Sequence, residues 1–202
     1  MDEPPVILVV DIEASGLHDG GYPTEIAWMD PIRDQAATSF LIRPSERWLQ
    51  GKWDFKAERL TGITREMLIK EGVSLYEVAA RFKERMVTAD LILTDAPEWD
   101  RHWVEALFRE AWVSFELPAF YDLHAYVQEH FGAVMRLQPQ PLHRAGDDVE
   151  RLVGGLINVI QSKRLFFSSL ARIQVPALPS RDAQLYPAHS TREAQYCVAR
   201  LD

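Results

Sequence analysis

Two acidic residues, Asp11 and Glu13, follow an apolar run over residues 6–10. Such a run is typical of a strand that is buried on both faces. Residues two apart in a strand point to the same face, so these carboxylates are predicted to lie side by side at the strand's C-terminal end. Their mutual repulsion would be offset by a hard divalent cation such as Mg²⁺ or Mn²⁺. From these two residues alone, a solvated strand end without a ligand is the alternative.

A third acid, Asp100, lies in the first turn of a helix predicted to begin near Pro97. It shares a helical face with Trp103 and Val104, so its carboxylate is predicted to point inward. An inward carboxylate requires a hydrogen-bonding partner or a cation. The alternative is that Asp100 only interacts with the positive end of the helix dipole. Asp95, at the end of the preceding strand, is the competing candidate for the same role.

His143 and Asp148 form the third part of the pattern. Asp148 begins the apolar stripe of a helix predicted over residues 146–162, and it is therefore expected to face inward. Asp147 precedes Arg151 by four residues, which predicts an ion pair on the polar side of that helix. His143 lies in a loop, where a histidine beside acids is a candidate general base because its pKa can lie near neutrality. A simply exposed histidine is the alternative.

The elements that must position these side chains alternate between strands and helices. Strands are predicted at residues 6–10, 25–29, 37–42, 91–94 and 119–121. Helices are predicted at residues 74–87, 97–112, 123–131 and 146–162. The first three strands form a meander, after which helices alternate with short strands. This order predicts a single α/β domain with a mixed sheet.

Composition narrows the class of protein. The 202 residues are 47% hydrophobic and 26% charged, values of a compact domain rather than a disordered or fibrous chain. The net charge of −8 argues against binding nucleic acid by bulk electrostatics, unless metal ions reverse the local sign. The single Cys197 excludes an intramolecular disulfide or a cysteine-rich zinc site. No apolar run reaches membrane-spanning length and the N-terminus lacks signal-peptide features, so a cytoplasmic location is expected.

Three segments resemble, in order, the motifs of the DEDDh family of 3′–5′ exonucleases, which includes proofreading exonucleases, ribonuclease T and oligoribonuclease. Residues 9–17, VVDIEASGL, resemble the first motif, Asp-x-Glu followed by Gly-Leu. Residues 93–100, LTDAPEWD, resemble the second, and residues 143–148, HRAGDD, resemble the third, His-x-Ala-x-x-Asp. Residues 62–64 and 25–27 are similar to two further family patterns, Gly-Ile-Thr and Glu-Ile-Ala. The resemblance spans roughly residues 6–160.

The resemblance implies a ribonuclease H-like fold with a mixed five-stranded sheet flanked by helices. The implied activity is metal-dependent 3′–5′ hydrolysis of single-stranded DNA or RNA, which releases nucleoside 5′-monophosphates. Two Mg²⁺ or Mn²⁺ ions are implied, with four ligands: Asp11, Glu13, Asp100 and Asp148. His143 is implied as the general base. Ala14 would contact the substrate's 3′ end through its backbone, and Leu17 would wedge against the terminal base.

The chain departs from the family pattern at positions that lie near the nucleotide in the family. Thr94 and Asp95 stand where His-Asn is usual, Trp99 replaces a usual Phe, and Thr61 stands where His is common. Asp95 would repel a phosphate unless it faces away or contacts a base or sugar. These differences leave the choice between DNA and RNA open.

The exonuclease domain is expected over residues 1–164, and residues 165–202 are expected to pack on it or on a partner chain, as in a homodimer. The main alternative function is a catalytically inactive exonuclease fold that binds nucleic acid or acts as a scaffold, against which the complete acid set argues. The residues also leave open a polynucleotidyl transferase or ribonuclease H with the same sheet, and an α/β protein with coincidental acids.

Overall fold

A mixed six-stranded sheet forms the centre of the computed structural model, which describes residues 3–137 and 142–162. The strands are β1 (Ile7–Ala14), β2 (Pro23–Met29), β3 (Thr38–Arg43), β4 (Val73–Ser74), β5 (Leu91–Thr94) and β6 (Phe120–Asp122). Their order across the sheet is β4-β3-β2-β1-β5-β6. The predicted α/β fold with a mixed sheet is confirmed, and the two-residue β4 adds an edge strand to the five that were predicted. The expected extension over 165–202 lies outside the described residues.

The central strand β1 pairs antiparallel with β2 and parallel with β5. It is longer than its apolar run predicts, since Asp11 and Glu13 lie within the strand rather than after it. The hydrogen-bonded ladder with β2 supports these extra residues, and its register becomes irregular only between Glu13 and Ala14. The two acids are therefore held on rigid backbone.

Seven helices cover the sheet within the described ranges. They are α1 (Glu46–Leu49), α2 (Phe55–Thr61), α3 (Arg65–Glu71), α4 (Leu75–Thr88), α5 (Pro97–Glu110), α6 (Leu123–Phe131) and α7 (Ala145–Ser162). The four predicted helices are confirmed within two residues at each end. Three short helices, α1–α3, occupy the segment whose pattern is mixed. Gly62 ends α2 in the left-handed conformation, which glycine adopts without steric cost.

The strand alternation of β1 divides the core between the two faces of the sheet. Leu8 and Val10 pack with residues of α4 and α5 on one face. Ile7 and Val9 pack with residues of α6 and α7 on the other. Continuing the second set by steps of two along β1 leads to Asp11 and then to Glu13, so the face that begins apolar ends in two acids. Within the described part of the chain, no helix is long and apolar enough to cross a bilayer.

Candidate active site

The first group of acids comes from β1, the end of β5 and the start of α5. Carboxylate oxygens of Asp11, Asp95 and Asp100 all lie within 4.8 Å of one another. Asp11 and Asp100 are fully buried, whereas Asp95 is half-buried. The parallel register sets Leu93 opposite Val9, and two further residues along each strand bring Asp95 beside Asp11. Asp95 therefore joins Asp100 in this group rather than replacing it.

Asp100 is held by a hydrogen bond from a buried threonine. The Thr94 hydroxyl donates to Oδ2 of Asp100 and accepts the backbone N–H of Ala96 at 3.1 Å. Thr94 is itself fully buried at the end of β5. The hydroxyl therefore links the end of the strand to the first turn of α5 and fixes the orientation of this carboxylate. The sequence identifies Thr94 only as a departure from the family pattern and does not predict this contact.

The second group combines Glu13 of β1, Asp148 of α7 and His143 of the preceding loop. One ligand atom of each lies within 4.8 Å of the others. Glu13 and Asp148 are buried and His143 is half-buried. The backbone of His143 is left-handed, with φ of 53°, a conformation that few non-glycine residues adopt. The imidazole is thus presented to the acids by a constrained turn.

Glu25 of β2 anchors that turn. Its carboxylate accepts hydrogen bonds from Arg144 Nε at 3.0 Å and Arg144 Nη2 at 2.9 Å. It also accepts the backbone N–H of Ala145 and the hydroxyl of Ser39, each at 3.0 Å. These bonds to Glu25 raise the pKa of the Arg144 guanidinium. Since Glu25 pairs with Glu13 across the sheet, β2 fixes the start of α7 beside the second group.

Arg151 contacts the acids rather than the outer side of its helix. Its Nε donates to Oδ1 of Asp148 at 2.9 Å, and its Nη2 lies 4.0 Å from Oδ2 of Asp95. The predicted surface ion pair with Asp147 is therefore wrong, and Asp147 is exposed. Residues three apart in a helix are neighbours, so Arg151 reaches Asp148 as readily as it would reach Asp147. Because Asp148 is buried, its carboxylate requires a cationic partner, whereas the exposed Asp147 is solvated by water.

The donor set fits divalent cations. The first group offers three carboxylate oxygens, and the second offers two together with the imidazole nitrogen of His143. Carboxylate oxygens are the donors that Mg²⁺ and Mn²⁺ prefer. The four predicted ligands fall into both groups: Asp11 and Asp100 in the first, and Glu13 and Asp148 in the second. Asp95 is an additional acid at the site, which the motif resemblance does not include among the ligands.

The two residues predicted to contact substrate lie at the end of β1 and in the loop that follows it. Leu17 is 39% exposed, an accessible position for an apolar side chain, and Ala14 is half-buried at the irregularity of β1. The hydroxyl of Thr61 is occupied within its own helix end, where it donates to the carbonyl of Ala57 and accepts the N–H of Ile63. This bonding gives Thr61 a structural role at the C-terminus of α2.

Trp99, the other departure near the second motif, packs against its own helix. It is half-buried, and its ring stacks on Trp103 with a centroid distance of 5.8 Å. Trp103 is a buried core residue, so its stacking with Trp99 continues the core along this face of α5.

An aromatic and basic patch that the sequence pattern does not reveal lies beside the Leu17 loop. The backbone N–H of Asp54 donates to the carbonyl of Ser15 at 3.1 Å, which fixes residues 51–56 against this loop. Phe55 is 65% exposed, and its neighbours Lys52 and Lys56 are exposed as well. We refer to the exposed side chains of Lys52, Phe55 and Lys56 as the 52–56 patch.

Among solved structures, the chain is similar to E. coli exonuclease I in complex with a dA16 oligonucleotide, with a TM-score of 0.63, 14% identity, and coverage of 83% of this chain and 42% of that chain. It is also similar to the zinc-bound complex of E. coli exonuclease I with single-stranded DNA, with a TM-score of 0.61, 15% identity and coverage of 83% and 42%. A product-bound exonuclease I structure gives a TM-score of 0.58, 16% identity and coverage of 84% and 46%.

These likenesses show the fold, as the motif resemblance implies. The chain spans less than half the length of the exonuclease I chains that it matches. No protein-family model and no curated protein matches the sequence.

Proposed function

We propose that this chain is a metal-dependent 3′–5′ exonuclease that acts on single-stranded DNA or RNA and releases nucleoside 5′-monophosphates. The observation that carries the proposal is a pair of acidic groups that share β1. Asp11 lies with Asp100 in one group, and Glu13 lies with Asp148 and His143 in the other. The shared fold with exonuclease I, solved with single-stranded oligonucleotides, supports the same interpretation.

Two Mg²⁺ or Mn²⁺ ions would be held by the four acids Asp11, Glu13, Asp100 and Asp148. When bound, such a pair of cations activates water for attack on phosphorus and stabilises the departing oxygen. The protein's own part is to keep these carboxylates in place. Asp11 and Glu13 are fixed by the β1–β2 ladder, Asp100 by the hydroxyl of Thr94, and Asp148 by the first turn of α7.

His143 is the proposed general base. An imidazole accepts a proton near neutral pH, and a ring nitrogen of His143 lies within 4.8 Å of carboxylate oxygens of Glu13 and Asp148. As the water oxygen forms a bond to the terminal phosphorus, its proton passes to His143. The bond from phosphorus to the 3′ oxygen of the preceding nucleotide breaks, and that oxygen takes a proton from solvent. The products are a nucleoside 5′-monophosphate and a strand one nucleotide shorter.

The proposed substrate is a single-stranded 3′ end. A chain with a net charge of −8 gains little from the phosphates of a duplex, so nonspecific duplex binding is expected to be weak. Single strands also bind through stacking on apolar and aromatic side chains. In this proposal, Leu17 contacts the terminal base, the backbone of Ala14 contacts the 3′ end, and the 52–56 patch binds the bases and phosphates that precede it. The exposure of Leu17 and Phe55 supports these roles.

A catalytically inactive nucleic-acid-binding protein is the second candidate. The observation that favours it is the ion pair of Arg151 with Asp148, because a proposed metal ligand already has a cationic partner. The complete set of acids and the presence of His143 favour the enzyme.

The test is degradation of end-labelled single- and double-stranded DNA and RNA by the purified chain, with Mn²⁺ or with EDTA. We expect stepwise 3′ shortening of single strands that requires the metal. Asp11→Asn should abolish turnover while leaving the fold intact. Asp19→Asn, an exposed position in the neighbouring loop with the same charge change, should retain it. Full activity of Asp11→Asn, or binding without shortening by the unmodified chain, would refute the proposal.

A further inference from the structure

Arg151 connects the two acidic groups of the candidate active site. Its guanidinium lies 2.9 Å from Asp148 of the second group and 4.0 Å from Asp95 of the first. The side chain of Arg151 is only 7% exposed, and the side chains of Asp148 and Asp95 are 3% and 15% exposed. This is therefore an enclosed contact, in contrast to exposed pairs on the helices such as Arg81–Glu77, with side chains 55% and 48% exposed.

The charge of Arg151 matters because of the number of acids around it. Besides the imidazole of His143, the two groups contain five carboxylates, those of Asp11, Glu13, Asp95, Asp100 and Asp148. Like charges at this separation disfavour one another's ionised state, and burial increases the cost. A guanidinium stays protonated under all ordinary conditions, so Arg151 supplies a permanent positive charge to this cluster.

We infer that Arg151 is an internal counter-ion of the cluster, which stabilises the acids without metal and weakens the binding of a divalent cation beside Asp148 and Asp95. The inference rests on the proposed function for the identity of the metal centre. A cation that binds Asp148 must share this carboxylate with the guanidinium or displace it. Arg151 acts on the metal through the carboxylates that it contacts, and it is therefore a positioning residue.

Asp95 and Arg151 also balance one another. Asp95 adds a negative charge at a position where the motif that it resembles has a neutral Asn. Arg151 adds a positive charge that faces Asp95 at 4.0 Å. Removing the charge of Arg151 should therefore raise metal affinity, and removing the charge of Asp95 should lower it. Removing both charges should return the affinity toward that of the unmodified chain.

The experiment measures Mn²⁺ binding by calorimetry, together with thermal unfolding in EDTA and in Mn²⁺. Arg151→Gln should bind Mn²⁺ about tenfold more tightly, equivalent to about 1.4 kcal/mol. This variant should unfold at a lower temperature than the unmodified chain in EDTA. Added Mn²⁺ should raise its unfolding temperature by more than it raises that of the unmodified chain. Arg151→Lys, which keeps the charge, should restore an affinity close to that of the unmodified chain. Asp95→Asn should bind Mn²⁺ more weakly, and the double variant should lie between the two single ones.

Arg33→Gln is the matched control, because this substitution removes the same charge. Arg33 also pairs with a buried acid, Asp30, but away from the cluster. The control variant should leave Mn²⁺ affinity unchanged. Equal or weaker Mn²⁺ binding by Arg151→Gln would overturn the inference and would mean that Arg151 only orients Asp148. Should Arg151→Gln not fold in EDTA, the double variant decides the question by the same measurement. Tighter Mn²⁺ binding than Asp95→Asn supports the counter-ion role, and equal or weaker binding overturns it.

The two proposals fail in different ways. If the unmodified chain shortens 3′ ends with Mn²⁺ but Arg151→Gln keeps its Mn²⁺ affinity, the counter-ion role fails and the nuclease proposal stands. If the unmodified chain binds no Mn²⁺ by calorimetry, the metal centre fails and the counter-ion role fails with it.

Discussion

Glu25 and Arg144, 119 residues apart in the chain, form a bidentate ion pair that ties strand β2 to the start of helix α7. Glu25 is buried, with a side chain 4% exposed, while that of Arg144 is 38% exposed. Because Arg144 directly follows His143, this pair fixes the turn that presents the imidazole to Glu13 and Asp148.

Replacing Glu25 with Gln should therefore affect both stability and turnover. The neutral amide cannot accept two charge-assisted bonds from Arg144, and we expect a loss of about 1–3 kcal/mol in the free energy of unfolding. Turnover should fall as well, because His143 is no longer held in place. Urea unfolding and single-strand degradation measure the two effects. Glu77→Gln, which breaks an exposed ion pair, should change neither by a measurable amount. An unchanged Glu25→Gln protein would show that the pair does not anchor the turn.

Thr94 should act on the metal centre through Asp100. Thr94→Val preserves shape but removes the hydroxyl that donates to the Asp100 carboxylate. Losing such a supporting contact to a metal ligand is expected to lower metal affinity or turnover about 10–100-fold. Thr94→Ser, which keeps the hydroxyl, should recover most of that loss. Calorimetry with Mn²⁺ and turnover on labelled single strands provide the comparison, and equal defects in both variants would mean that packing rather than the hydrogen bond matters.

His143 can be tested without disturbing its backbone. Asparagine tolerates the left-handed conformation that His143 adopts, so His143→Asn should fold normally. Loss of a general base should lower kcat on the order of 10²–10⁴-fold. His124→Asn, on α6, is the matched control and should retain kcat. A His143→Asn enzyme with unchanged kcat would remove His143 from the mechanism.

Local patterns were sufficient to predict most of the fold. The apolar run before Asp11 identifies the central strand because a continuous apolar run is typical of a strand that is buried on both faces. The stripe that begins at Asp148 identifies α7 and its inner face because helical periodicity is a property of neighbouring residues. The same two patterns place Asp11 and Asp148 on the elements that carry them in the structure.

Contacts between distant elements were not predictable in this way. The pairing of Glu25 with Arg144 depends on how α7 lies across β2, and the approach of Asp95 to Asp11 depends on the register of β5 against β1. The choice of Arg151 between Asp147 and Asp148 depends on the burial of Asp148, since both acids are within helical reach. Strand register and the contacts between distant elements are set by the packed core and not by any local segment.

Tyr126 gives a pH-dependent prediction that is independent of the active site. Its ring is buried on α6, and its hydroxyl has no hydrogen-bond partner within the described part of the chain. Burial, with a smaller contribution from the charge of Glu129, raises the pKa of Tyr126 to about 12. A tyrosine in the unfolded chain ionises near about pH 10. The contribution of Tyr126 to the free energy of unfolding is therefore fully present below that pH. It is lost as the pH rises from about 10 toward about 12, because the tyrosine ionises first in the unfolded state.

Tyr126→Phe should remove this loss. Relative to the unmodified protein, its free energy of unfolding should gain about 1 kcal/mol between about pH 9 and about pH 11. Near neutral pH the substitution should be neutral or slightly stabilising, since it removes a buried hydroxyl that lacks a partner among the described residues. Urea unfolding across this pH range measures the difference. Tyr76→Phe, at a side chain that is 58% exposed, should show no such divergence from the unmodified protein. Parallel stability curves for Tyr126→Phe and the unmodified protein would mean that the ring ionises equally well in both states, contrary to its burial.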